Sequence, residues 1–80
     1  MSRPVLREHD LAALRQDLPT HGLITGDVGT VVFVHAAGAA YEVEFMTADG
    51  RTLAVETLLA DQVEAVTGGY ILDVRKHVAV

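Results

Sequence analysis

The chain has 80 residues, half of them apolar, with no cysteine, no tryptophan and a net charge of −5. That length makes one domain whose single core yields about 3–5 kcal/mol of net stability, and the absence of cysteine excludes disulfides, thiolate metal sites and a thiol nucleophile. The acidic balance is the wrong sign for counterion-release binding to a phosphate backbone, and no stretch approaches the roughly 20 apolar residues of a membrane helix.

The opening "MSRPVLREHD" mixes charges and lacks the apolar run of a secretory leader, so a cytoplasmic protein is expected. Next comes "HDLAALRQDL", where Leu11, Leu14 and Leu18 recur at spacings of three and four behind Asp10, the pattern of a capped helix. In "LPTHGLITGDVG" the residues Pro19, Gly22, Gly26 and Gly29 interrupt any regular element. Gly26, Asp27 and Gly29 are read as a structural turn that Asp27 braces. The segment lacks the G-K-[ST] ending and the following helix of a phosphate loop. Residues 30–34, "TVVFV", are β-branched, aromatic and apolar on both faces, which predicts a strand covered on both sides.

"YEVEF" alternates, sending Tyr41, Val43 and Phe45 to one face and Glu42 and Glu44 to the other. Two turns could close the hairpin that follows. A two-residue Asp49-Gly50 turn pairs Glu44 with Val55 and Met46 with Leu53, mixing glutamate with apolar residues. A three-residue loop of Ala48, Asp49 and Gly50, with Gly50 left-handed, pairs Phe45 with Leu53 and Val43 with Val55. The second register builds a coherent apolar face and is the expectation. It sets Glu44 opposite Ala54 and Glu42 opposite Glu56. "ADQ", residues 60–62, then reads as one helical turn before a last short strand.

Gly68 and Gly69 separate a body of residues 1–67 from a tail of residues 68–80. The tail carries Tyr70, Ile71, Leu72, Val74 and Val78, too apolar for a terminus left in water. It is expected to add a strand to its own body or, in the preferred reading, to form the interface of a homodimer.

Three blocks, "LRQDLPTHGLITGDVGTVVFV", "AYEVEFMTADGRTLAVETL" and "ADQV", resemble a family of small bacterial and archaeal SH3-like barrels known only as a domain of unknown function. The resemblance covers residues 11–66. It implies an all-β, five-stranded, strongly bent barrel in which residues 11–16 form the first strand instead of a helix. It brings no catalytic residues with it. "GDVGTVV" also resembles the start of a strand in KOW-type barrels of ribosomal and transcription proteins, which supports a rival nucleic-acid reading.

Glu42, Glu44 and Glu56 form the most informative cluster. Like charges directly opposed on a sheet cost roughly 0.2–1 kcal/mol per pair, so the cluster reads as a solvated face or a docking face for a basic partner, with general acid/base chemistry a weaker third because an exposed sheet does not exclude water. His9, His21, His35 and His77 lack the close spacing of a zinc site and read as surface histidines. Thr30, Thr52 and Thr57 have no evident base partner. The expectation is therefore a non-catalytic protein-interaction or accessory module, the small partner of a protein encoded beside it, with no metal and no cofactor. Its rivals are a KOW-like nucleic-acid binder and an accessory subunit of a larger enzyme.

Overall fold

The computed structural model describes residues 5–66. Five strands, β1 (Leu11–Leu14), β2 (Val28–His35), β3 (Ala40–Met46), β4 (Thr52–Leu59) and β5 (Val63–Ala65), pair antiparallel in one sheet of order β4-β3-β2-β1-β5. Two single 3-10 turns, Pro19–His21 and Ala60–Gln62, supply the helical conformation among the described residues. No helix there is long and apolar enough to cross a membrane.

The topology forces the sheet to roll. β4 and β5 are its opposite edges, yet only Ala60–Gln62 joins them. Four Cα steps reach about 14 Å, whereas a flat sheet would hold those edges about 19 Å apart. The result is a barrel-like fold. Gln62 Oε1 accepts the Leu59 N–H at 2.6 Å and closes the connecting turn.

Inside, Val31 and Val43 are fully buried, and Leu14, Tyr41, Phe45, Leu58 and Val63 pack round them. The Tyr41 hydroxyl is satisfied by the Leu6 N–H at 3.1 Å, which ties the incoming segment to the core. β1 shows why the leucine spacing misleads. Ala12, Ala13 and Leu14 are all buried because β1 is flanked by β2 and β5. A strand whose backbone is paired on both sides outweighs a weak helical period. It ends at Leu14, two residues before the boundary implied by the resemblance.

Three sequence expectations are corrected. First, β2 is covered on one face only: Val31 is buried, while Val32 and Phe33 are exposed. A bulge between Val31 and Phe33 shifts the register, so consecutive apolar residues do not imply burial on both faces. Second, Gly29 lies within β2, paired with Ala12, and not in the preceding turn. A Cβ there would stand 2.6 Å from Val43 Cγ1 and 2.7 Å from the Glu44 carbonyl oxygen, so glycine permits β3 to pass close by.

Third, the hairpin register changes partway along. The loop is the three-residue one: the Thr47 N–H donates to the Arg51 oxygen at 2.8 Å, and Gly50 has φ 89°. A bulge between Phe45 and Met46 then shifts β4 by one residue. Phe45 pairs with Ala54, Glu44 with Val55, Val43 with Glu56 and Glu42 with Thr57. Phe45 does not oppose Leu53, and Val43 does not oppose Val55. The barrel interior explains the shift. Phe45, Tyr41 and Leu58 already fill it, and the small Ala54 fits across from Phe45 where Leu53 would overpack.

Candidate docking face

The bulge in β4 divides the three glutamates between two faces. Glu42 and Glu44 point outward, while Glu56 shares the inward-facing row of Val31 and Val43. Glu56 reaches the rim of the barrel, where its Oε2 lies 2.5 Å from His21 Nε2 at the end of the Pro19–His21 turn. The opposition of Glu42 and Glu56 expected from the sequence does not exist. Each carboxylate has its own partner.

The outer face is built from three ladder rows across β2, β3 and β4. Thr30, Glu44 and Val55 form the first, Phe33, Glu42 and Thr57 the second, and His35, Ala40 and Leu59 the third. Phe33, Val55 and Leu59 are between 49% and 58% exposed, so apolar area and two glutamates share one surface. Met46 and Leu53 extend the apolar area at the hairpin end, where they also line a cleft of about 270 Å³ with Leu23, Val28 and Phe45.

The glutamates are held in place. Glu42 Oε2 lies 2.7 Å from His35 Nε2, the geometry of a ring N–H donating to a carboxylate, and accepts the Thr57 hydroxyl at 2.8 Å. These bonds, His35 first and Thr57 second, hold the Glu42 carboxyl below its ordinary value and so keep it charged. Glu44 accepts the Thr52 hydroxyl at 2.5 Å. Phe33 stands edge-on to the His35 ring, with centroids 4.8 Å apart. The arrangement presents fixed negative charge between apolar side chains.

The β1–β2 connection is structural. Asp27 Oδ2 accepts the Ile24 N–H at 3.0 Å, Gly26 takes φ 95° and donates to the Leu14 oxygen, and Asp17 accepts both the N–H and the hydroxyl of Thr25. Those bonds, backbone before side chain, lower the Asp17 carboxyl from its ordinary value. Among the described residues no three histidine or carboxylate side chains converge on a metal position. Gly68, Gly69, Tyr70, Ile71, Leu72, Val74, His77 and Val78 lie outside the described residues.

Sequence reasoning missed Phe33, His35, Thr57, Val55 and Leu59 as members of this face. Part of the signal was available. A hairpin joining "FVH" to "AYE" brings His35 across from Ala40 and thus diagonal to Glu42. No local signal announces the His21 and Glu56 pair, which joins a loop to a strand 35 residues later.

A family model described as a domain of unknown function, DUF4926, matches residues 8–65. The chain belongs to that family. No curated protein and no solved structure matches it. The DUF4926 match contains all five strands, so the whole outer face of β2, β3 and β4 falls within it. The family description assigns no activity, and the functional reading of this DUF4926 domain rests on its surface.

Proposed function

We propose that the domain is a non-catalytic protein-interaction module whose docking surface is the outer face of β2, β3 and β4. The observation that carries this reading is the exposure of Phe33, Val55 and Leu59 around Glu42 and Glu44. Side chains left half in water forgo roughly half of the about 1.5–3 kcal/mol that full burial brings each, a cost that a partner's surface would recover. The fixed glutamates select the sign of that partner. It is a protein segment carrying both apolar and basic side chains, recognised by apolar burial and steered by charge.

Residues 5–66 contain three arginines and ten carboxylates, a net of −7, which argues against nucleic acid as the ligand. The test uses two synthetic peptides of alternating valine and lysine or valine and glutamate, titrated into isotope-labelled protein. The lysine peptide should shift the resonances of Phe33, Glu42 and Val55 and release on adding salt. Equal binding of both peptides, or shifts confined to the cleft at Leu23 and Phe45, would overturn the reading. Retention on a DNA or RNA oligonucleotide that the double change Glu42→Gln and Glu44→Gln leaves intact would favour the nucleic-acid rival.

A further inference from the structure

The two edges of the sheet, β4 and β5, differ in what they offer to another strand. β5 is three residues long and presents little backbone. β4 runs for eight residues, Thr52–Leu59, with neither lysine nor proline, and its bulge lies at the hairpin end, so Ala54 to Leu59 keep one register. Lysine, proline, bulges and short length are the devices that keep sheet edges from pairing, and most of β4 has none of them.

Hydrogen bonds fix the phase of its backbone. The Ala60 N–H donates to the Ala39 oxygen at 3.1 Å, and bonded and non-bonded pairs alternate along an antiparallel ladder. Ala54, Glu56 and Leu58 therefore exchange bonds with β3, while Val55, Thr57 and Leu59 turn their N–H and C=O groups away from it. The Leu59 N–H is already taken by Gln62 Oε1. Among the described residues no strand pairs with β4 on that side.

Charge indicates what fits there. Glu56 is the single charged residue of β4, and it lies on the inward row beside His21. In a body of net −7, this edge is the stretch where the chain can meet its own copy with few carboxylates opposed. A two-fold axis at Glu56 would set the two Glu56 residues directly opposite each other, which is unfavourable. An axis at Thr57 would call on the Leu59 N–H that Gln62 holds. An axis at Val55 avoids both: Glu56 lies opposite Ala54 of the other copy, and Leu53 opposite its Thr57. The exposed Leu53 and Val55 then flank the axis on the outer side.

We propose that β4 pairs antiparallel with β4 of a second copy about a two-fold axis at Val55, joining the two sheets edge to edge. The contact is isologous, so each bond made by one copy is repeated by the other. It is formed by described residues alone. It also goes beyond the docking reading, because it needs the backbone of β4 whereas a basic segment needs Glu42 and Glu44 on β3.

The full-length protein tests it. Sedimentation over a concentration series should show a monomer–dimer equilibrium. Amide exchange should show Val55 and Thr57 protected in the dimer and exposed on dilution, with Ala54, Glu56 and Leu58 protected throughout. In a mixture of labelled and unlabelled copies, Ala54 and Glu56 should give an intermolecular Hα contact, as a non-bonded pair does. Val55→Pro removes an N–H that β3 does not use and should weaken the dimer about tenfold or more. Val55→Lys, which opposes two ammonium groups at the axis, should do the same and recover in part with salt. A monomer at every concentration would overturn the proposal, as would Val55 and Thr57 amides that stay protected in a monomer, or a dimer whose intermolecular contacts lie in another register or off β4. A monomer that still binds the valine and lysine peptide would remove this inference and leave the proposed function standing.

Discussion

The inner and outer faces of β3 and β4 come from the same fifteen strand residues and obey different rules. Inside, Tyr41, Val43, Phe45 and Leu58 are at most 2% exposed, and their selection is by volume. Outside, Val55 and Leu59 are as apolar as the core but half exposed, and the polar groups among them are positioned by hydrogen bonds to His35, Thr52 and Thr57. Hydrophobicity alone therefore does not decide which face of β4 is buried. Fit decides it. Ala54 and Leu58 complement Phe45 and Tyr41, and Glu56 is tolerated on the inward row because it reaches His21 at the rim.

The sharpest way to break this comparison is to truncate one leucine or valine on each side. Leu58→Ala should cost about 2–5 kcal/mol, the range for a buried large-to-small change, whereas Val55→Ala should stay within about 0.5 kcal/mol. Chemical denaturation of both variants decides it. A costly Val55→Ala with a mild Leu58→Ala would restore the register expected from the sequence.

Overpacking gives the next effect. Gly29→Ala places a Cβ against Val43 and the Glu44 backbone and should lose about 1–3 kcal/mol, measured as a lower urea midpoint with an unchanged slope. Gly50 offers a contrast, because a Cβ there meets nothing within 4 Å while φ is 89°. Gly50→Ala should therefore cost only about 1 kcal/mol, from backbone strain alone. A neutral Gly29→Ala would show that β2 and β3 can separate, and that close approach is not why glycine stands there.

The smallest effect is a titration. Hydrogen bonds from His35 and then Thr57 lower the Glu42 pKa, so the folded state binds the proton less readily than the unfolded chain. The resulting stabilisation is complete above the unfolded carboxylate value of about 4.3 and fades as pH falls through the lower folded value. Carboxyl shifts followed by NMR should show Glu42 titrating below an ordinary glutamate, and Thr57→Val should move it upward. No movement in that variant would remove Thr57 from the support of the outer face.

Some of this was legible in residue order. The alternation from Tyr41 to Phe45 placed those side chains correctly, because β3 has a strand on each side and one face against the core. Asp49 and Gly50 marked a turn, since Gly50 adopts the left-handed conformation that a three-residue loop demands. The family's characteristic text, running from β1 through β4, announced an all-β chain despite the leucine spacing of its first strand.

The sequence by itself thus determined the strand identity of β2, β3 and β4, the hairpin loop and the inward face of β3, all of which follow from local backbone preference and a period of two, whereas β1 is a strand against its local leucine period. Only the tertiary structure decided the phase of β2 and β4. Each contains a bulge that inserts one residue and exchanges the two faces beyond it, and a bulge is selected by the space left between strands rather than by the residues beside it. That exchange took Glu56 from the outer face to the rim beside His21 and put Val55 and Leu59 where a partner can reach them. Alternation already marked Glu42 and Glu44, but the apolar members of the candidate site were invisible to pattern because they become their neighbours only after the sheet is rolled and shifted.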